Sequence, residues 1–405
     1  MNAHSFFNIE HFIGEAITGR RTSLLEKDLT DHHDTLNKEI NNKAVLVIGG
    51  AGTIGSSFIK ALLRYKPKKL VVVDINENGL TELVRDCRSR TDITLPGDFK
   101  SYPVNFGDAV FTKIFKQDAP FDIVANFAAH KHVRSEKDAL SIEAMIENNV
   151  LKAKKLLDLL LAYPPQHFFC VSTDKAANPV NIMGASKKLM EEVILAYSND
   201  LPITTARFAN VAFSNGSLLA GFIERVMKQQ PLSSPSDVKR FFVSPQESGE
   251  ICLLACIVGR SGEIFFPRLH AESDMVNFAD IAKLFIKQLG FEPDICADEN
   301  EARRKSVNPV AGTYPVYFFE SETSGEKLYE EFYTDKEELD FNKFSALGVI
   351  MNAPRRKKEE LDSIIQEVES MFASDVSKED IVCLLNKLLP DFKHIETGIS
   401  LDQKM

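Results

Sequence analysis

The sequence predicts a doubly wound α/β fold, in which helices cover both faces of a parallel sheet, with a smaller α+β lobe attached. Short apolar runs without polar alternation occur at 45–48, 70–73, 123–127 and 168–171, and each is followed by helical periodicity. Runs of this kind are typical of strands that are covered on both faces. A fifth run at 203–207 extends the predicted sheet.

The pattern changes along the chain and predicts four regions. A polar, helix-prone extension comes first, and the strand–helix alternation follows it. A looser lobe, interleaved with the sheet domain and rich in Gly, Ser and Pro, is predicted to bind substrate, and a charged helical tail comes last. In order, the regions are 1–42, 43–207, 208–349 and 350–405.

Composition and charge exclude several classes of protein. The 405 residues include 48 Lys and Arg against 58 Asp and Glu, a net charge of −10, which argues against nucleic acid as a partner. One of the longest uncharged apolar runs, 251–258, is far shorter than the roughly 18 residues that a membrane span requires. The first twenty residues carry Glu10 and Glu15 and lack a secretory pattern, so we expect a cytoplasmic protein.

Cysteine and histidine spacing predicts neither disulfides nor a metal site. No Cys-x-x-Cys pair occurs, and we interpret the cysteines as reduced core thiols. His130 and His132 lack a third ligand at suitable spacing, so no metal is predicted. The six cysteines are Cys87, Cys170, Cys252, Cys256, Cys296 and Cys383.

A glycine-rich turn joins the first predicted strand to a helix. This context lets backbone N–H groups and the helix dipole face a pyrophosphate, as in Rossmann-like dinucleotide sites. The Gly-x-x-Gly-x-x-Gly spacing resembles that of short-chain dehydrogenase/reductase folds. A tight turn that binds no ligand is the alternative. The residues predicted to contact the cofactor here are Gly49, Gly52, Thr53, Ile54 and Gly55.

The end of the second strand favours NAD over NADP. Asp74 lies nineteen positions after Gly55, where a carboxylate can bind the adenine-ribose hydroxyls and repel a 2′-phosphate. Neither Arg nor Lys occurs in 75–78, and Asn76 is a further candidate contact. Alternatively, Asp74 ends the strand and caps the next helix.

The stretch that follows the apolar run at 168–171 resembles a known family. Ser172-Thr173-Asp174-Lys175, with Lys187 twelve residues further on, resembles the nucleotide-sugar 4,6-dehydratases of the extended short-chain dehydrogenase/reductase superfamily. These enzymes act on UDP-N-acetylglucosamine in polysaccharide and protein-glycan biosynthesis. The likeness spans about 44–340 and continues through 128–133, 149–150, 207–211, 216–217, 240–242, 262–265 and 325–330.

The resemblance implies an acid and a base at the centre of the reaction. Loss of water across carbons 5 and 6 of the sugar requires an acidic carbon 5, which transient oxidation at carbon 4 by NAD provides. In the family the residue at Asp174 is the acid, the residue at Lys175 is the base, and hydride returns to carbon 6. These roles require Asp174 to be protonated and the pKa of Lys175 to be lowered, so that the amine is neutral near pH 7. The alternative is a capping turn with a solvated lysine.

Met183 departs from the commonest family pattern. Most relatives carry Tyr four residues before the helical Lys, and a thioether cannot transfer a proton. The resemblance implies that Lys187 holds the nicotinamide ribose. Our hypothesis is that Thr173, alone or through a water, relays the 4-hydroxyl proton to solvent or to Asp174. The alternative is a protein that has lost catalysis, with Met183 as core packing.

Other candidates come mainly from the resemblance. Lys131 and His132 resemble substrate contacts at the mouth of the cleft. A diphosphate needs cationic or amide donors, for which Asn210, Arg240, Arg268 and Lys327 are candidates. Two more candidate cofactor contacts are Asn105, where the family pattern has Asp, and Ala128.

Together these features predict an NAD-dependent lyase that converts a UDP-N-acetylhexosamine, in our interpretation UDP-N-acetylglucosamine, to a 4-keto-6-deoxy sugar. A UDP-sugar 4-epimerase is the alternative within the superfamily, because it needs no acid–base pair for carbons 5 and 6. A catalytically silent protein that binds NAD or a nucleotide sugar is the alternative from another class. The resemblance also implies a homo-oligomer.

Overall fold

The computed structural model describes residues 7–321 and 330–396. Within these ranges the chain forms fifteen strands and sixteen α-helices. The strands are β1 Ala44–Ile48, β2 Lys69–Asp74, β3 Asp98–Pro103, β4 Ile123–Asn126, β5 His167–Val171, β6 Ile203–Ala206, β7 Asn210–Val211, β8 Leu232–Pro235, β9 Lys239–Val243, β10 Ile264–Pro267, β11 Met275–Asn277, β12 Glu292–Cys296, β13 Thr313–Phe319, β14 Leu339–Asp340 and β15 Leu347–Ile350.

The helices surround the sheets and form both ends of the described chain. They are α1 Ile9–Phe12, α2 Glu26–Asp31, α3 His33–Ile40, α4 Thr53–Leu63, α5 Glu77–Ser89, α6 Ala109–Asp118, α7 Ala139–Ile146, α8 Lys152–Ala162, α9 Ile182–Ala196, α10 Leu218–Met227, α11 Pro245–Val258, α12 Ala271–Asp274, α13 Phe278–Gln288, α14 Glu299–Val307, α15 Lys358–Phe372 and α16 Lys378–Leu388. None of the helices in the described ranges is long and apolar enough to cross a membrane.

A large twisted sheet confirms the predicted α/β fold. Its strand order is β14-β15-β10-β6-β5-β4-β1-β2-β3, and the seven strands from β10 to β3 run parallel. Every residue of β1 is buried, as continuous apolar strands predict. The five predicted strands are present. β3 was not predicted, because its sequence Asp-Phe-Lys-Ser-Tyr-Pro is polar and lies at the sheet edge.

The second lobe is built on two smaller sheets. Their orders are β11-β9-β7 and β12-β13-β8. Phe222, Phe242 and Phe285 belong to the separate apolar core of this lobe. The chain then returns to the large sheet, where β15 pairs antiparallel with β10. The lobe is therefore threaded between strands of one sheet, which places it over the carboxyl ends of the parallel strands.

The N-terminal extension packs against both cores. Phe12 and Ile17 lie in the core of the second lobe, whereas Leu36 and Ile40 lie in the core of the large sheet. Arg20 Nε donates to Glu247 Oε1 over 2.9 Å at the start of α11. The extension therefore contacts both lobes.

The C-terminal helices pack on α9. Arg356, just before α15, donates from Nε to Glu192 Oε2 of α9 over 2.5 Å. A capping box formed by Ser377 and Asp380 begins α16. Cys383 corrects one prediction, because it is exposed and the other five cysteines are buried. It lies on the outer side of an amphipathic helix whose inner side carries Leu384 and Leu385.

A buried arginine joins three segments beside the strand ends. Arg207 follows β6, is fully buried, and binds the carboxylate of Glu191 on α9 with N–O distances of 2.9–3.0 Å. It also donates to both oxygens of Glu337 over 2.9–3.0 Å and to the carbonyl of Phe332 over 2.9 Å. Burial acts to raise the pKa of Glu191, but the guanidinium outweighs burial and lowers it.

Replacement of Arg207 by Met should destabilise the protein strongly. The change leaves the carboxylates of Glu191 and Glu337 buried without their main counter-charge, which costs about 3–5 kcal/mol. Lys336→Met is the matched control, since its pair with Asp391 is about three-quarters exposed and should cost less than about 1 kcal/mol. Urea unfolding measures both. Equal losses in the two variants would contradict the proposed weight of the buried arginine.

Candidate active site

The glycine turn after β1 is shaped by close backbone contacts. Gly49 has φ +75°, and a Cβ there would lie 2.5 Å from the backbone nitrogen of Ala128, which lies in the loop that follows β4. A Cβ on Gly55 would lie 2.3 Å from the Gly49 oxygen. At Gly52 the nearest protein atom would be 3.5 Å away, and α4 begins at Thr53. The turn is therefore tight inside and open above Gly52, which fits a pyrophosphate at a helix N-terminus.

The neighbouring cofactor candidates surround this turn. Asp74 Oδ2 accepts from the Ala51 N–H over 2.9 Å, and its Oδ1 accepts from the Asn76 N–H over 2.9 Å. The Asn76 side chain caps α5 through the Gly79 N–H. Asn105 lies just beyond β3, where its Oδ1 accepts from the Gly107 N–H over 2.9 Å. These contacts orient the Asp74 carboxylate toward the glycine turn. The Asn76 side chain, in contrast, is occupied in capping α5.

A hydrogen-bonded turn follows β5 at the same edge of the sheet. Thr173 Oγ1 donates to Asp174 Oδ1 over 2.8 Å, and Lys175 Nζ lies 3.1 Å from the same oxygen. Asp174 is buried, and the Lys175 side chain is about one-fifth exposed. A Cβ on Gly184 of α9 would lie 2.7 Å from the Lys175 carbonyl oxygen, so this glycine allows the helix to approach the turn. Thr173, Asp174 and Lys175, three of the predicted catalytic residues, are therefore in contact.

The charge on Lys175 corrects one expectation. Burial acts to lower its pKa, as we predicted, but the carboxylates of Asp174 and Glu330 outweigh burial and raise the pKa. Glu330 Oε1 lies 3.5 Å from Lys175 Nζ and is buried. No local sequence pattern indicates that this glutamate lies beside Lys175. In the arrangement described, Lys175 therefore carries its proton near neutral pH.

Met183 and Lys187 lie on the first turns of α9, and both are buried. Lys187 Nζ donates to the Val171 carbonyl at the end of β5 over 2.6 Å and lies 3.1 Å from Met190 Sδ. Burial lowers the pKa of Lys187. This lysine therefore supports the end of β5 directly before the catalytic turn, the hydrogen-bonded turn at 172–175 that carries predicted catalytic residues. Its contact with a nicotinamide ribose stays a prediction.

Asn149 connects the loop after β4 to α9. It lies in a π-helical segment, Glu147–Leu151, and its Oδ1 accepts from the His130 N–H over 2.8 Å. Its Nδ2 donates to the His130 carbonyl and to Ser186 Oγ, each over 3.0 Å. Lys131 and His132 follow and are exposed. The loop with the predicted substrate contacts is thus fixed relative to the helix that carries Lys187.

Glu136 ends the same loop and was not singled out from the sequence. Its Oε1 accepts from the Met183 N–H at the start of α9 over 2.8 Å, and only 7% of the residue is exposed. Burial raises its pKa from 4.5 to about 7, against the opposing effect of bonds from the N–H groups of Met183 and Ile182. A titratable carboxyl therefore caps the helix that carries Lys187.

The second lobe contributes some of the predicted substrate residues. Arg240 on β9 is buried and close enough to Lys175 to act on its charge. Asn210 starts β7, which pairs with β9. Arg268 is exposed and packs over the ring of Phe341. Lys327 lies outside the described residues.

Two contacts close the lobes over the glycine turn. The Asn215 N–H donates to Thr53 Oγ1 over 2.9 Å. Gly216 has φ +74°, and a Cβ there would lie 3.0 Å from the ring of His132. The loop between β7 and α10 therefore lies against both the glycine turn and the loop after β4, where a ligand of the cleft would be enclosed.

The C-terminal tail also reaches the site. The Lys393 N–H donates to the Pro179 carbonyl over 3.3 Å, and the Ile395 N–H donates to the Val180 carbonyl over 2.9 Å. These bonds hold the segment between the catalytic turn and α9. Among residues 7–321 and 330–396, no group of three or more His, Cys, Asp or Glu side chains is arranged to hold a metal ion.

The sheet order, the glycine turn after β1 and the Ser-Thr-Asp-Lys turn after β5 define a Rossmann-like protein of the extended short-chain dehydrogenase/reductase class. A family model described as polysaccharide biosynthesis protein matches residues 45–352, and the chain belongs to this family.

Curated relatives include proteins named as dehydratases and as epimerases. The chain is 29% identical to the uncharacterized membrane protein MJ1061 of Methanocaldococcus jannaschii, over 76% of this chain and 86% of that protein. It is 28% identical to a UDP-N-acetylglucosamine 4,6-dehydratase (inverting) of Campylobacter jejuni, over 56% of this chain and 68% of that protein. A UDP-glucose 4-epimerase of Rickettsia typhi is also 28% identical, over 60% and 71%. The match to capsular polysaccharide biosynthesis protein CapD of Staphylococcus aureus, 26% identical over 74% of this chain, spans only 49% of that protein.

Solved structures show the same fold. The structure of Pen from Bacillus thuringiensis superposes with a TM-score of 0.63 at 20% identity, covering 82% of this chain and 98% of that chain. The dTDP-glucose 4,6-dehydratase DesIV of Streptomyces venezuelae, solved with NAD and TYD bound, superposes with a TM-score of 0.55 at 20% identity. This match covers 72% of this chain and 89% of that chain. The named relatives and solved structures thus include both nucleotide-sugar dehydratases and epimerases, and their names do not separate the two activities for this chain.

Glu136 should make stability depend on pH. Its pKa in the folded protein is about 7 and its ordinary value is 4.5, so the folded state keeps a proton that the unfolded chain releases between these values. The parent therefore loses stability as pH rises through this window. Glu136→Gln cannot titrate in this window. As pH rises through it, the free energy of unfolding of this variant should therefore increase relative to that of the parent by up to about 3 kcal/mol. Urea unfolding at pH 5, 6 and 7.5 measures this change, and a constant difference would contradict it.

Two glycine substitutions separate folding from cofactor binding. Gly55→Ala should lower the melting temperature, because its Cβ collides with backbone atoms of Gly49 and Gly50. Gly52→Ala meets no protein atom within 3.4 Å and should leave the melting temperature unchanged. Its methyl group would occupy the open space above the turn, so NAD should bind at least about tenfold more weakly. Calorimetry and thermal unfolding measure the pair, and full NAD affinity in Gly52→Ala would contradict the assigned pyrophosphate position.

Proposed function

We propose that this chain is an NAD-dependent dehydratase that converts UDP-N-acetylglucosamine to a UDP-4-keto-6-deoxy-N-acetylhexosamine for glycan biosynthesis. The observation that carries the proposal is the contact of Thr173, Asp174 and Lys175 at the carboxyl end of β5. This turn lies two strands from the glycine turn, on the same edge of the parallel sheet. The named Campylobacter relative supports the same assignment.

The residues of the turn can divide the proton transfers among themselves. Thr173 accepts the 4-hydroxyl proton of the sugar and passes it to Asp174, to which its own hydroxyl is bonded. Lys175 takes the proton from carbon 5, the bond between carbon 6 and its oxygen breaks, and Asp174 protonates the departing oxygen to form water. Lys175 then returns its proton to carbon 5 when hydride reaches carbon 6. Since Lys175 starts in its charged form, it must release a proton first, and turnover is expected to rise with pH.

The residues around the glycine turn fit a dinucleotide cofactor. The open space above Gly52 and the start of α4 at Thr53 suit its pyrophosphate, and Asp74 favours NAD over NADP. When bound, NAD supplies a reversible oxidation at carbon 4, which acidifies carbon 5 and ends with hydride return to carbon 6. Lys131, His132, Asn210 and Arg240 are the proposed contacts of the UDP-sugar, and self-association stays a prediction.

One observation favours a UDP-sugar 4-epimerase as the second candidate. The raised pKa of Lys175 suits a lysine that orients substrate better than one that removes a proton. An epimerase needs no base for carbon 5, and a named epimerase of Rickettsia typhi is as similar as the named dehydratase. Met183 poses the same problem for both activities, because each must deprotonate the 4-hydroxyl.

Mass spectrometry of UDP-N-acetylglucosamine incubated with the protein and NAD separates these candidates. The dehydratase should give a product lighter by one water, and NADP in place of NAD should support less of it. Asp174→Asn and Lys175→Ala should each lower turnover at least about a hundredfold, and Thr173→Val should lower it about tenfold or more.

The other outcomes decide against the proposal. A product of unchanged mass with inverted configuration at carbon 4 would identify an epimerase. Bound nucleotide sugar without any product would indicate a binding protein. Near-parent turnover in Asp174→Asn or Lys175→Ala would remove these residues from the mechanism, and near-parent turnover in Thr173→Val would remove the proposed proton relay.

A further inference from the structure

Glu330 reaches the catalytic turn from a distant part of the chain. It lies before β14, and only 5% of the residue is exposed. Its Oε1 is 3.5 Å from Lys175 Nζ, on an ammonium that also lies 3.1 Å from Asp174 Oδ1. Lys175 is therefore held between one carboxylate of its own turn and one that the fold brings from more than 150 positions away.

We propose that Glu330 is a positioning residue of the active site: its carboxylate holds the Lys175 ammonium beside Asp174 and sets the pH at which Lys175 is free to take a proton. The catalytic consequence rests on the proposed function, in which Lys175 is the base for carbon 5. The electrostatic part concerns the free protein alone and does not depend on the substrate.

The charges around Lys175 determine the direction of the effect. Burial favours the neutral amine, and Arg240 acts in the same direction because it carries a like charge. Asp174 and Glu330 oppose both and keep the proton on the lysine. Removal of the Glu330 charge leaves one carboxylate against burial and Arg240, so the pKa of Lys175 must fall.

The chain offers a matched control at the next position. Glu331 is exposed, and its Oε2 accepts from Asn178 Nδ2 over 2.8 Å. Glu331→Gln therefore removes the same charge from the same segment, close to the catalytic turn, without removing the carboxylate that contacts Lys175. Glu330→Gln keeps the size and shape of the side chain and removes only its charge.

Competitive labelling of lysines with acetic anhydride measures this directly. Peptide mass spectrometry gives the rate at Lys175 as a function of pH in the parent, Glu330→Gln and Glu331→Gln. Only the neutral amine reacts with the anhydride. Lys175 should therefore be labelled about tenfold faster in Glu330→Gln than in the parent at any pH below the pKa of Lys175 in both proteins, which corresponds to a fall of about one pKa unit. Glu331→Gln should follow the parent. Superimposable profiles for all three proteins would overturn the proposal.

A second variant covers the case in which Glu330→Gln fails to fold. Glu330→Asp keeps the charge but withdraws it by one methylene, so the labelling profile of Lys175 should move in the same direction by a smaller amount. An unshifted profile in a folded Glu330→Asp protein, as judged by its melting temperature, would then overturn the proposal.

Kinetics separate this proposal from the proposed function. If Lys175 is the base, the rising limb of the kcat/KM profile for dehydration should move to lower pH in Glu330→Gln by the same amount as the labelling profile. A labelling shift without any dehydration in the parent would refute the function and leave the role of Glu330 intact. Dehydration in the parent with no labelling shift in Glu330→Gln would refute the role of Glu330 and leave the function intact.

Discussion

The ion pairs of the buried Arg207 guanidinium govern the geometry of the candidate active site at the carboxyl ends of the parallel strands. Arg207 has no contact with solvent, and a charge in such a place is tolerated only when counter-charges and hydrogen bonds surround it. Glu191 and Glu337 supply these, and they come from α9 and from the segment before β14. Glu191 also accepts from Ser172 Oγ over 2.6 Å, directly before the catalytic turn. One electrostatic requirement therefore fixes a strand end, a helix and a returning segment relative to each other.

Parallel strands add the second constraint, because their carboxyl ends meet at one edge of the sheet. The loops that follow β1, β4 and β5 are consequently neighbours, and close contacts join the first two loops to each other and the second to α9. Gly49 abuts Ala128, while Asn149 binds His130 on one side and Ser186 on the other. A ligand that enters this edge thus meets a surface that is assembled before binding, which lowers the entropic cost of orienting a sugar beside a cofactor.

Two lysines in this small region have pKa values shifted in opposite directions, although burial acts to lower both. Lys187 is bonded to a carbonyl and lies near a thioether, so burial lowers its pKa. Lys175 lies beside the carboxylates of Asp174 and Glu330, so its pKa is raised instead. The identity of the partners, more than the depth of burial, decides which lysine keeps its proton. Under the proposed function, the reactivity of Lys175 as a base then depends on a proton that neighbouring carboxylates hold in place.

The sequence by itself determined the fold class, the glycine turn and the position of Thr173, Asp174 and Lys175 directly after a buried strand. Each of these depends on residues that are adjacent in the chain or on an apolar period along one strand, so local patterns are sufficient. The polar edge strand β3, the exposed Cys383 and the neighbours Glu136 and Glu330 were decided only by the tertiary structure. Glu330 comes from a distant segment, and the pKa of Lys175 is the balance of burial against charges that no local pattern brings together. The sheet was therefore readable from its strands, whereas the electrostatics of the site required the packed molecule.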